Sequence, residues 1–166
     1  EGIKGKSIFN PNGEEQFISI SAEAGQIGAQ SEKHPSTIFA TACYPYKTIL
    51  GTSVCVDTDI LGNRRGQKAC EIRNLKFSDG QGAPVAVTEI ETRMLPQGDK
   101  VKPHFIISLE NVGNGEVVDV NKYEKACSSQ SLGYKDFNTL MVGVNLSDNM
   151  LDCGGDKLVD GKSLIR

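Results

Sequence analysis

The feature that most constrains this chain is the recurrence of short runs in which apolar and polar residues alternate with a period of two. Successive side chains of an extended backbone point to opposite faces, so each such run writes one apolar and one polar face of a half-buried strand. Gln16-Phe17-Ile18-Ser19-Ile20-Ser21 and Thr37-Ile38-Phe39-Ala40-Thr41-Ala42 show the pattern. It returns, more loosely, over 52–56, 70–77, 84–91, 104–110, 116–120, 140–146 and 157–165. Between the runs stand Pro11-Asn12-Gly13, Asp79-Gly80, Pro96-Gln97-Gly98-Asp99, Asn114-Gly115, Gly154-Gly155 and Asp160-Gly161. Glycine and asparagine supply the positive φ that tight turns require. Only 119–130 breaks the rhythm, with Asp119 as a cap and Val120, Tyr123 and Cys127 on one face of a short helix. Many short strands with regular turns predict an all-β protein: an antiparallel β-sandwich with one short helix, a single domain over 1–166.

Composition excludes several classes. The chain is 38% hydrophobic and 23% charged, within the range of a folded domain. A net charge of −3 and a longest basic run of Arg64-Arg65 give no nucleic-acid partner, because phosphate binding needs clustered cations. No apolar stretch approaches the roughly 20 residues that span a bilayer, so this segment makes no membrane contact of its own. The chain opens at Glu1 without an initiator Met or signal sequence and reads as a mature or excised segment.

Five cysteines, at 43, 55, 70, 127 and 153, contain no Cys-x-x-Cys pair. Neither a zinc knuckle nor a thioredoxin-like site is written, and an oxidised, extracellular protein is expected. Cys55 and Cys70 bracket a polar, turn-rich segment, so a bridge between them staples a hairpin. Cys43 with Cys127 is the second expected pair, and Cys153 is left over. Should Cys55 be free, Cys127 with Cys153 is the competing bridge.

The templates for catalysis fail in turn. With only His34 and His104, no His-Glu-x-x-His helix and no three-histidine metal site can form. No Gly-x-Ser-x-Gly elbow occurs, and Gly5-Lys6-Ser7 and Gly161-Lys162-Ser163 lack the first glycine of a phosphate loop. No enzymatic activity and no cofactor are expected. Asp57, Asp59 and Asn63 form a weak calcium candidate, because Asp57, Asp59 and Gly62 match part of an EF-hand loop. Leu61 occupies a ligand position there, and Lys68 stands where the closing glutamate should be. Asp148, Asp152, Asp156 and Asp160 recur every four residues, but glycine pairs interrupt any helix, so they read as turn residues. Asn145-Leu146-Ser147 is a glycosylation sequon with Asn145 as acceptor. Tyr44 and Tyr46 form the one exposed-looking aromatic cluster.

The stretch Phe105-Ile106-Ile107-Ser108-Leu109-Glu110-Asn111-Val112-Gly113-Asn114-Gly115-Glu116 resembles the signature of cell-adhesion-related immunoglobulin-like domains of bacteria and archaea. Gly5-Lys6-Ser7-Ile8-Phe9-Asn10-Pro11-Asn12-Gly13-Glu14, with Ala42-Cys43-Tyr44-Pro45-Tyr46-Lys47-Thr48 and Val54-Cys55-Val56-Asp57, is similar to uncharacterised archaeal surface proteins, membrane-anchored or secreted. The resemblance implies a sandwich fold and a cell-surface location, and it carries over no catalytic residue.

These readings converge on an extracellular structural or adhesion module, a subunit that forms filaments by β-strand pairing with copies of itself or with other surface proteins. One expected device is donation of the strand pattern ending at Ile165-Arg166 to a neighbour. The alternatives are a surface protein that binds a cation or small ligand through the loop at 57–63, and an accessory domain of a secreted hydrolase.

Overall fold

The computed structural model describes residues 3–4, 9–23, 25–26, 33, 35–63, 65–128, 130–158 and 161–166. The chain divides into two compact units, Glu1–Thr41 and Ala42–Arg166.

The first unit has neither strand nor helix among its described residues. Its backbone closes one loop. Gly13 N–H donates to the Asn10 carbonyl at 3.2 Å, and Glu14 N–H donates to the Lys4 carbonyl at 2.9 Å. Lys4 N–H donates in return to Glu14 Oε2 at 2.9 Å. The reversal passes through Gly13 at φ +74°, a conformation that suits a residue without Cβ. The strands expected at 16–21 and 37–42 are not formed, and Phe17, Ile18, Ile38 and Phe39 are 83–90% exposed. An alternating run defines a face, but its backbone groups need a neighbouring strand before the conformation is stable.

The second unit is organised by one long hairpin. β1 (Leu75–Lys76), β2 (Val85–Gln97) and β3 (Lys100–Asn111) form an antiparallel sheet in that order. β2 and β3 pair from Val85↔Asn111 to Gln97↔Lys100 across the two-residue turn Gly98-Asp99. Gly98 lies at φ +61°, as tight hairpin turns require at their first central position. Both strands outrun the expected 84–91 and 104–110, and β2 runs through Pro96. In the alternating ladder the position of Pro96 faces away from β3, so its missing N–H breaks no bond. On one face Ile90 opposes Ile107, Thr92 opposes Phe105 and Met94 opposes Pro103. On the other, Glu89 opposes Ser108, Arg93 opposes His104 and Leu95 opposes Lys102. The register slips between Val87 and Glu89, leaving Thr88 as the extra residue of a bulge.

A smaller sheet follows. β4 (Leu140–Val142) precedes a two-stranded ribbon of β5 (Asn145–Leu146) and β6 (Asn149–Met150). β7 (Asp156–Lys157) and β8 (Ser163–Ile165) complete the sheet in the order β4-β8-β7. The run 140–146, expected as one strand, is interrupted at Gly143, and 157–165 is divided between β7 and β8. Gly155, at φ +92°, lies so close to the Leu164 carbonyl that a Cβ would collide with it. The approach of β7 to β8 therefore depends on that glycine.

The expected strand at 116–120 is reduced to a single bridge, Val118↔Phe137, and 52–56 is not a strand. The helix expected over 119–130 is the four-residue α1 (Tyr123–Ala126). Asp119 Oδ1 instead accepts the Asn121 N–H at 2.8 Å, holding the turn that leads into α1.

The class is all-β, antiparallel sheets with very little helix. Among the described residues the buried hydrophobic side chains are Ala83, Ala86 and Ile90, joined by Thr92, Thr139 and Ser163. Thr139 and Ser163 donate their hydroxyls to the Lys135 and Cys153 carbonyls at 2.9 and 3.1 Å. Burial is thus deepest along β2 and thins toward β3.

Candidate functional site

The two rims of the larger sheet differ, and the difference defines the site. In an antiparallel ladder alternate residues turn their N–H and C=O toward the partner strand. Val112 N–H donates to the Pro84 carbonyl at 2.8 Å, which puts the even-numbered residues of β3 toward β2 and the odd-numbered ones outward.

Along the outer rim of β2 partners are found from Val85 to Thr92, while Met94 and Pro96 have none among the described residues. Ile90 pairs with Leu75 in β1, and the Thr88 carbonyl accepts Phe77 N–H at 2.9 Å. The Gln81 side chain stands in for a strand at Val87, receiving its N–H at 2.7 Å and donating to its carbonyl at 3.1 Å. The Thr48 hydroxyl donates to the Val85 carbonyl and the Tyr46 hydroxyl to the Gly82 carbonyl, each at 2.7 Å. Thr92 N–H reaches Asn74 Oδ1 at 3.5 Å.

The outer rim of β3 has no such cover among the described residues. Val101, Phe105, Ile107 and Leu109 turn their backbone groups outward with no hydrogen bond to a described partner, and Pro103 carries no N–H there. Their side chains, on the apolar face, are half-buried. A groove adjoins this rim, lined by Ile107 and Leu109 of β3, Val117, Leu140 of β4 and Ile165 of β8, with Arg166 at its mouth. The Arg166 guanidinium lies 4.2 Å from the Tyr134 ring centre and donates to the Tyr134 carbonyl at 2.8 Å. The sequence placed strand-forming residues here. Which rim would be open was not legible in it, because side chains distant in the chain (Tyr46, Thr48, Gln81) decide that.

The terminal strand expected to be donated requires correction. β8, which carries Ile165, is the middle strand of its own sheet, bonded to β4 on one side and β7 on the other. It has no rim to offer.

The structure brings the cysteines together as Cys43–Cys127 and Cys55–Cys70, each with Cα atoms 5.8 Å apart. Cys153 is a free, half-buried thiol. In the loop between Cys55 and Cys70, Asp57 Oδ1 accepts Asp59 N–H at 2.7 Å and Asp59 Oδ1 accepts Asn63 N–H at 2.8 Å. The Lys68 ammonium donates to Asp57 Oδ2 at 2.5 Å and to the Asp59 carbonyl at 3.2 Å. The charge these oxygens face is therefore a lysine of the same chain, and the Asn63 backbone N–H takes up one oxygen of Asp59. The Lys68 hydrogen bond holds the Asp57 carboxyl below its usual range, and Asp57 in turn raises Lys68. Among the described residues no three acidic, cysteine or histidine side chains gather as a metal ion would need.

Of the remaining candidates, Asn145 is exposed at the start of β5. Tyr44 and Tyr46 make an edge-to-face pair with ring centres 6.0 Å apart, and both are exposed. His104 is exposed on the polar face of β3, while His34 lies outside the described residues. Asp152 pairs with Lys157 at 2.8 Å on the surface. Among the described residues no helix is long and apolar enough to cross a membrane.

No known protein family, curated protein or solved structure matches the chain.

Proposed function

We propose that this chain is an extracellular structural or adhesion module that assembles by β-strand pairing and performs no catalysis. Its two three-stranded sheets are, in this reading, the halves of an immunoglobulin-like sandwich of the kind found on archaeal cell surfaces. The observation that carries the proposal is the outer rim of β3, twelve residues long, with outward backbone groups that no described residue meets. A strand rim of this length templates another strand, and monomeric proteins normally cover or charge it. Two disulfides fit an oxidising environment, where such modules work. The Lys68 ammonium among the Asp57 and Asp59 oxygens makes cation binding the weaker alternative.

Sedimentation equilibrium of the intact chain tests the reading. Association that grows with concentration is expected, and a chain that stays monomeric at every concentration rules it out.

A further inference from the structure

We propose that two copies of this chain pair through β3, antiparallel and edge to edge, about a two-fold axis at Phe105. The inference names the interface for the assembly reading above and rests on it.

Self-pairing of a strand demands that its sequence complement its own reverse, and β3 does. With Phe105 on the axis, Val101 meets the second copy's Leu109, Pro103 meets its Ile107, and Phe105 meets its own equivalent. These odd-numbered residues carry the outward backbone groups, so Val101 with Leu109, and Phe105 with Phe105, form the hydrogen-bonded pairs of a new ladder. Pro103 omits one donor at its step and blocks none that point toward β2. All five side chains lie on the apolar face and are only half-buried in one copy. The second copy's Val101 and Pro103 fall beside Leu109 and Ile107, next to the groove walled by Val117, Leu140 and Ile165. Pairing thus adds apolar cover where burial is thinnest.

The polar face is complementary in the same register. Lys100 meets the second copy's Glu110, and the two-fold repeats that contact, while Lys102 meets Ser108. Lys100, Lys102 and Glu110 are all exposed in one copy. An axis at Pro103 would set Lys102 against His104 and put the missing donor at the centre. An axis at Ile107 would leave both lysines without an acidic partner. Charge, apolar pairing and backbone bonding select the same alignment. The product is a continuous sheet in the order β1-β2-β3-β3-β2-β1, isologous and closed.

The test uses the intact chain and its charge variants. Lys100→Glu and Glu110→Lys each turn two attractive cross-strand contacts into repulsive ones and are expected to weaken dimerisation about tenfold. The double variant Lys100→Glu/Glu110→Lys restores the pairing, a rescue that unfolding would not give, and because the two single variants shift the net charge in opposite directions a general charge effect would not weaken both. Phe105→Pro removes the axial donors and abolishes the dimer. Since that variant may also disturb the hairpin, the rescue decides. Association that ignores all four variants overturns this interface while leaving assembly intact. A monomeric parent chain overturns both.

Discussion

Residues 16–21 and residues 104–110 are written in similar alternation, yet one stretch is exposed and unpaired in any strand and the other is the heart of a twelve-residue strand. Composition does not separate them, since Phe17, Ile18 and Ile20 are as apolar as Phe105, Ile107 and Leu109. What separates them is a partner within reach. β3 follows β2 after two turn residues, so closing that pair costs little chain entropy and each bond aligns the next. The run at 16–21 has no alternating run beside it in sequence, its nearest being 37–42. Alternation specifies which face is apolar, and proximity specifies whether the strand exists.

This contrast can be broken at several points, starting where the effect is largest. The second unit is held by a closure over 84 residues, Cys43 to Cys127, and by one over 15, Cys55 to Cys70. Loop-closure reasoning gives about 4.5 kcal/mol for the first and about 3 kcal/mol for the second. Chemical denaturation of Cys43→Ala/Cys127→Ala against Cys55→Ala/Cys70→Ala should show the larger loss for the first pair, and the reverse order would refute this account. Ile90 is among the few buried hydrophobic side chains, 8% exposed. Ile90→Ala is expected to lower stability by about 2–3 kcal/mol, and a loss below 1 kcal/mol would mean that β2 is not the core strand.

Gly98→Val places a β-branched residue at positive φ in the hairpin turn and should cost about 1–2 kcal/mol by the same measurement. If it is neutral, the turn does not set the pairing. A smaller effect belongs to the loop at 57–63. Asp57 is held below its ordinary value of 3.8, so its contribution is present above that value and is lost as pH falls through the depressed value. Lys68 is raised above 10.5, so its share persists below that value and disappears as pH climbs through the raised one. Amide chemical shifts of Asp59 and Asn63 should stay constant between these limits and move outside them. Titration of the loop near neutral pH would contradict the contact. Smallest of all, Ile18→Ala should change stability by less than about 0.5 kcal/mol, because its side chain is 83% exposed. A loss comparable to that of Ile90→Ala would show that 16–21 is packed after all.

Much of the architecture was readable from the residues because it is local. The hairpin follows from alternation on both sides of Gly98, and the Cys55 to Cys70 staple follows from a turn-rich segment between two cysteines. The short helix was overextended, since Asp119 caps a turn rather than the helix itself. The runs at 140–146 and 157–165 read as continuous strands, but Gly143 interrupts the first and the second is split between β7 and β8, with Gly161 at φ +76° in the connection. Long-range side-chain contacts left no local trace. Neither the Gln81 amide at Val87 nor the Lys68 ammonium between Asp57 and Asp59 follows from spacing alone, because each depends on where a loop returns.

The Gln81 amide has a consequence beyond local satisfaction. By occupying Val87 in the place of a strand, together with the Tyr46 and Thr48 hydroxyls, it closes the rim of β2 near its start and leaves the rim of β3 as the longest one that no described residue covers. In the language of polymer chemistry the proposed β3 pairing is monofunctional: coupling through that rim terminates at a pair, as a monomer with one reactive group cannot extend a chain. On that proposal, any longer array of this protein needs a second linkage, different from the β3 rim.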